Sequence, residues 1–178
     1  MTVRNILIYG HPVLRMKARP VEQIDDDIRD LAEEMIETME VADGIGLAAP
    51  QVGESLSLCV VNMALIEDGA AARVFVNPEI LDTEGSCTME EGCLSIPDIR
   101  EDVERPEKIR LRYQDLDGHE FEETCDGMLA RVLQHEIDHL NGVLFVDRIS
   151  PIRRKLLSKR LKKLAAGKRS ISPASVST

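Results

Sequence analysis

Tryptophan is absent from this 178-residue sequence, and Phe and Tyr together supply only 3% of it. A core must therefore rest on Leu, Ile, Val, Met and Ala, within an apolar share of 43% that is ordinary for a globular domain. No apolar run approaches the roughly 20 residues needed to span a membrane. The opening Met1-Thr2-Val3-Arg4 lacks the apolar stretch of a signal peptide. These absences predict a cytoplasmic chain with no membrane partner. Cysteine is sparse as well. Cys59, Cys87, Cys93 and Cys125 are expected as thiols or metal ligands rather than disulfides in a chain of this kind. Acidic residues vanish after Asp147. From Arg148 onward there are ten Lys or Arg, whereas residues 1–147 hold 12 bases against 32 acids. An acidic body with a basic end predicts a separate, polyanionic partner for that end.

Repeats are also missing, so the length fits one domain over 1–166, including a basic helix at 151–166. The Ser-rich remainder, 167–178, is expected to be disordered. After an extended opening around Ile6-Leu7-Ile8, Asp25 to Asp27 place acids at the start of a helix. Ile28, Leu31, Ala32, Met35, Ile36, Met39 and Ala42 give that helix one apolar face, and Gly44 is read as its stop. Leu56 to Met63 and Arg73 to Ile80 read as strands, the second interrupted by Pro78. Glu84 to Ser95 reads as irregular. Lys108 to Tyr113 and Glu120 to Thr124 alternate around Asp117-Gly118, a hairpin signal. A second helix is expected over about 126–141, closed by Gly142, and a third over 151–166. Helices and hairpins without a βαβ rhythm predict an α+β fold. In it, antiparallel sheets surround a central buried helix, with one helix near each terminus.

The second helix carries the chemistry. At about 100° per residue, His135, His139, Met128 and Val132 share one face, with Glu136 at its border. Leu129, Leu133, Ile137 and Leu140 follow it, leaving only Arg131, Gln134, Asp138 and Asn141 as a polar strip. Such a helix lies inside the protein. The i, i+4 spacing sets two imidazoles on adjacent turns, where both can reach one metal ion, and Glu136 can reach a metal-bound water without being a ligand. Two hydrogen-bonded core histidines are the plainer alternative. Two histidines make a weak site, so a third ligand is needed. No His follows His139, and Asp147 is the only acid beyond it. The search turns upstream to Cys93 in a Gly-Cys-Leu turn, because a thiolate is a strong ligand for zinc or ferrous iron. Cys59 reads as a buried small hydrophobe; Cys87 and Cys125 stay unassigned.

Three segments, in order, resemble the peptide deformylase family: Gly44-Ile45-Gly46-Leu47-Ala48-Ala49-Pro50-Gln51, then Glu91-Gly92-Cys93-Leu94-Ser95, then Gln134-His135-Glu136-Ile137-Asp138-His139-Leu140-Asn141-Gly142. The resemblance runs to about residue 150, and the basic helix beyond looks like the C-terminal helix of bacterial forms. It implies hydrolysis of the N-formyl group from the formylmethionine of new polypeptides, releasing formate. It also implies one divalent ion on Cys93, His135 and His139. That ion would be ferrous iron natively, with zinc or nickel as replacements, and ferrous iron on a thiolate should be oxygen-sensitive.

The implied roles follow. An open metal position acidifies water to a pKa of about 7. Glu136 acts as general acid and base, and the Gln51 amide with the Leu94 backbone N–H forms an oxyanion hole. Gly46 and the stretch around Ile45 would let substrate backbone pair as an added strand, while Ile45, Met89, Met128 and Val132 are candidates for a methionine slot. Gly92 and Arg100 complete the expected substrate contacts, although a surface salt bridge explains Arg100 nearly as well. Asp138 reads more readily as a solvated surface acid than as support for a ligand. In the last helix, Leu156, Leu157, Leu161 and Leu164 face one way and Lys155, Lys159, Lys162 and Lys163 the other. Either a solvated basic face or contact with the ribosome accounts for this, and no DNA partner is expected. Two rivals remain: a zincin-like metallopeptidase, which lacks its downstream ligand here, and a non-catalytic metal module, which would not need Glu136.

Overall fold

The computed structural model describes residues 2–175. Along the chain run β1 (Ile6–Leu7), α1 (Asp26–Val41), β2 (Gly46–Ala48), β3 (Leu58–Val61), β4 (Arg73–Glu84), β5 (Cys87–Cys93) and β6 (Ile96–Arg105). They are followed by β7 (Lys108–Gln114), β8 (Glu120–Asp126), α2 (Gly127–Leu140), α3 (Pro151–Ala166) and β9 (Ser170–Ile171). The architecture is α+β with antiparallel sheets, as expected. Five strands form one sheet in the order β2-β3-β4-β7-β8, β5 pairs with β6, and β1 pairs with β9.

The large sheet separates two helices. Strand β3 is buried on both faces: Leu58 and Val60 join Met35 and Met39 of α1, while Cys59 and Val61 join Ala130, Leu133 and Ile137 of α2. Helix α1 begins where Asp25 accepts a hydrogen bond from the Ile28 backbone N–H (3.1 Å), with Asp26 and Asp27 at the positive end. Its stop differs from expectation. Asp43 takes the left-handed turn (φ 52°), and Gly44 serves another purpose, since a Cβ there would sit 2.8 Å from Leu94 Cδ1. Gly142 (φ 71°) does close α2, as its spacing suggested.

Strand β4 runs straight through Pro78. A proline has no N–H for the ladder, and the register against β7 slips between Val76 and Glu79, with Asn77 at φ 50°. The segment expected to be irregular forms β5 instead. Its partner β6 turns Ile96, Ile99, Glu101, Val103 and Arg105 inward, so charges occupy positions where apolar residues would have signalled a strand.

The tail reading is also corrected. Residues 170–171 pair with β1, Ile171 packs on the α1 core, and Pro173 is buried, so enough apolar surface is covered to order the chain to residue 175. Residues 176–178 lie outside the described range. In α3 only Leu157 and Leu161 are buried, with Leu164 packed beside them; Leu156 is 68% exposed and leaves the expected apolar face. Among the described residues no helix is long and apolar enough to cross a membrane.

Candidate metal centre and active site

Three elements converge on α2. Sheet strand β2 and its following turn pass one side, the β5–β6 hairpin passes the other, and the segment after α2 closes the base. The ligand-type atoms of Cys93, His135 and His139 all lie within 4.8 Å of one another. Cys93 Sγ is 3.3 Å from His139 Nε2, and the two imidazole rings stand 5.0 Å apart at 65°. One thiol and two imidazoles make a donor set suited to a divalent transition metal. Among the described residues, Glu136 Oε2 is buried without a hydrogen-bond partner, which fits a site completed by a polar ligand. The residues therefore fit the ion that the spacing suggested.

His135 is held at one edge and on one face. Its Nδ1 lies 3.0 Å from Glu91 Oε2, and its ring stacks on Phe145 with centroids 6.1 Å apart. Burial opposes charge on this imidazole, but hydrogen bonds with Cys93 and Glu91 outweigh that and raise its pKa well above the usual value. At His139, burial and the positive charges nearby, His135 foremost, hold the pKa well below the usual value and keep that imidazole neutral. Glu136 is 3% exposed, and burial pushes its carboxyl pKa up to about 7. A carboxyl titrating there can both take and return a proton near neutral pH.

Close approach by glycine makes room for that carboxyl. A Cβ on Gly46 would lie 2.5 Å from Glu136 Oε1 and 2.8 Å from Val132 Cγ1. Gln51 sits at the end of the same stretch with its orientation fixed. Its Oε1 accepts from the Ala48 N–H (2.9 Å), so its amide N–H₂ points at Ser95 Oγ (3.2 Å) and Cys93 Sγ (3.6 Å).

The family model for polypeptide deformylase matches residues 3–155. The chain belongs to that family. A peptide deformylase from Alkalilimnicola ehrlichii is 52% identical over 165 residues, covering 92% of each chain. One from Mesorhizobium japonicum is 48% identical over 169 residues, covering 94% of this chain and 96% of the relative. Among solved structures, the Legionella pneumophila deformylase superimposes with a TM-score of 0.84 at 44% identity, covering 91% of this chain and 95% of that one. The Synechococcus elongatus deformylase, solved in complex with actinonin, gives 0.82 at 46% identity, with 87% and 86% covered.

In this deformylase a cavity of about 760 Å³ opens over the site. Ile45, Gly46, Gln51, Gly92, Cys93, Leu94, Arg100, Met128, Val132, His135 and Glu136 all line it; His139 lies behind them, 1% exposed. Met89 does not line it. It pairs with Val103 across the hairpin, one residue before Glu90, where the lining begins. Arg100 lines the wall, half exposed, and stands 3.7 Å from Glu90, so the cavity contact and the surface pair coexist.

Of the polar strip of α2, only Asn141 is exposed; Arg131, Gln134 and Asp138 are buried. Asp138 is buried against Arg105 (2.8 Å), and Arg131 is buried against Glu91 (2.9 Å) and the Val103 carbonyl (2.8 Å). Glu91 and Arg105, which stand behind His135, are absent from the expected site residues. Glu91 stood in plain view beside Cys93, and the need of a metal-bound imidazole for an acceptor at its other nitrogen was the signal available. Nothing in the sequence pointed to Arg105.

Proposed function

We propose that this deformylase hydrolyses the N-formyl group from the formylmethionine of newly made polypeptides, releasing formate, and that the roles implied by its motifs hold residue by residue. The carrying observation is the convergence of a buried carboxyl, an oriented amide and a thiol–imidazole triad at the floor of one cavity. An ion held by Cys93, His135 and His139 would polarise the formyl oxygen and acidify water at neutral pH. Every other task falls to the chain itself. Glu136 takes a proton from the attacking water and returns it to the departing amine. The Gln51 amide and the Leu94 backbone N–H face the charge that grows on the formyl oxygen; one such donor is typically worth about 3 to 4 kcal/mol. Ile45, Val132 and Met128 offer apolar surface for the methionine side chain. Strand β2 is an edge strand, and substrate backbone would align along it beside Ile45 and Gly46. Arg100 and Gly92 flank the continuing peptide.

Ferrous iron is the proposed native ion. The donor set accepts Zn²⁺ and Ni²⁺ as well, so anaerobic purification with metal analysis decides between them. Formate release from N-formylmethionyl peptides tests the reaction. Full activity in Glu136→Ala would remove the assigned proton carrier, and cleavage of internal peptide bonds would favour a peptidase instead.

The basic helix α3 is proposed to approach the ribosome. Lys155, Lys159, Lys162 and Lys163 accompany exposed Ile152 and Leu156 on its outer side. Deleting the helix would uncover the core that Leu157 and Leu161 cover, Ile96, Ile99 and Phe145 among it, so charge reversal of the four lysines is the cleaner variant for co-sedimentation. Equal binding by parent and variant would sink this contact.

A further inference from the structure

The support of His135 reaches well beyond Glu91. The Arg105 guanidinium, 3% exposed, grips Glu91 with two arms (Nε–Oε1 2.6 Å, Nη2–Oε2 2.9 Å) and extends its third to Asp138 Oδ2 (2.8 Å). Asp138 is in turn held by Arg148, which donates to Oδ2 through Nε and to Oδ1 through Nη2 (2.6 Å). Arg148 lies in the connection between α2 and α3, two residues before the Ser150 cap of α3. Positive groups therefore stand on either side of two buried carboxylates, and the series ends on a metal ligand.

The direction of each bond is fixed by chemistry. Guanidinium groups only donate. The Glu91 carboxylate accepts from the Arg105 and Arg131 guanidinium groups, and His135 Nδ1 meets it as a third donor, which leaves Nε2 as the ligand atom. Arg105 divides its donors between two acids. Without Arg148, Oδ1 of Asp138 has lost its donor in a buried setting, and rotation toward Arg105 is the nearest remedy. Drawing Arg105 toward Asp138 loosens its two-armed hold on Glu91.

We propose that Arg148 is a positioning residue for the metal ligand His135, acting through Asp138, Arg105 and Glu91. This rests on the metal-site reading above, but metal retention can be read without any deformylase assay. A failure here thus stays separate from a failure of the proposed reaction. Arg148 is suited to the test because its side chain is 45% exposed, so replacing it opens no internal cavity.

The experiment compares Co²⁺-loaded full-length protein with Arg148→Met, Arg148→Lys and Arg153→Met. Arg153 makes a comparable two-armed pair with Glu101 (2.8 and 3.0 Å) that leads to no ligand. Losing a direct partner of a ligand typically costs 10- to 100-fold in metal affinity, and a partner further out should cost less. Arg148→Met is expected to lose Co²⁺ to a chelator about threefold to tenfold faster, with an altered ligand-field spectrum. Arg148→Lys is expected to recover part of the difference, and Arg153→Met to match the parent in both readouts. Parent-like retention and spectrum in Arg148→Met would overturn the proposal, even with a lower unfolding midpoint. Equal loosening in Arg153→Met would overturn it too, by showing a general effect of the α3 junction.

Discussion

Replacing Gly46 with alanine adds one methyl group and should nearly silence the enzyme. The new Cβ would lie 2.5 Å from Glu136 Oε1 and 2.9 Å from Glu136 Cδ, where ordinary contacts begin at 3.4 Å. The carboxylate must retreat by about an ångström, and it has little space in which to do so. Val132 Cγ1 already stands 2.8 Å from the same point, and Glu136 is buried on a packed helix. A misplacement of about 1 Å at a reacting group can cost 10²-fold in rate, so kcat should fall about 100-fold. Overpacking should also lower stability by about 1–3 kcal/mol, which leaves a folded protein to assay. KM should move less than kcat, because the role proposed for Glu136 is proton transfer and not substrate binding. Formate release over a range of formylmethionyl peptide concentrations separates the two constants. A kcat within threefold of the parent would show that the Glu136 carboxyl is not needed where the structure puts it. Gly44→Ala is the companion: its Cβ meets the flexible end of Leu94, so a smaller loss is expected.

Other expectations follow from the same geometry. Burial raises the Glu136 pKa from 4.5 to about 7, so the metal-free fold binds this proton more tightly than the unfolded chain. The associated stability is complete below about pH 4.5 and is lost as pH rises through about 7, roughly 3 kcal/mol in all. Denaturant melts of metal-free parent and Glu136→Gln at pH 5 and 7.5 should differ by that slope; parallel curves would refute it. Gln51→Leu removes an oriented amide donor and should lower kcat about 100- to 1,000-fold. Its unfolding midpoint should also drop, because the buried Ala48 N–H loses its acceptor. Cys93→Ser should weaken metal binding by more than about 100-fold, since even partners behind a ligand are worth 10- to 100-fold. Competition against a chromophoric chelator measures this directly.

Legibility in the sequence followed the kind of force at work. Helices α2 and α3 could be bounded within a residue because their ends carry local chemistry: Gly142 at one, Ser150 and Pro151 at the other. Both faces of β3 follow from an unbroken apolar run. The β5–β6 hairpin escaped because its inward positions include Glu91, Glu101 and Arg105: Glu91 and Arg105 pair with each other, and Glu101 pairs with Arg153 of α3. A periodicity of apolar residues is blind to that arrangement. The site divided along the same line. His135, Glu136 and His139 share one helix, so their geometry follows from 3.6 residues per turn. Cys93 required a search for a missing ligand, and Arg105 and Arg148 could be found only once the hairpin was folded onto the helix.

This division explains why the same polar strip misled. On a helical wheel, Arg131, Gln134 and Asp138 form the face a solvated helix would turn to water. Here these three are buried while Asn141 stays exposed, and each of the three has a partner from outside the helix: Arg131 on Glu91, Asp138 on Arg105 and Arg148, Gln134 on the Pro106 carbonyl (2.9 Å). A helix with an apolar face against the sheet and a fully paired polar face against a hairpin can be enclosed on both sides. Enclosure is what the chemistry needs. It raises the Glu136 pKa toward neutrality, and it fixes two imidazoles whose freedom would otherwise oppose metal binding. Charges that read as solvation in the sequence are therefore the means by which α2 is kept out of water.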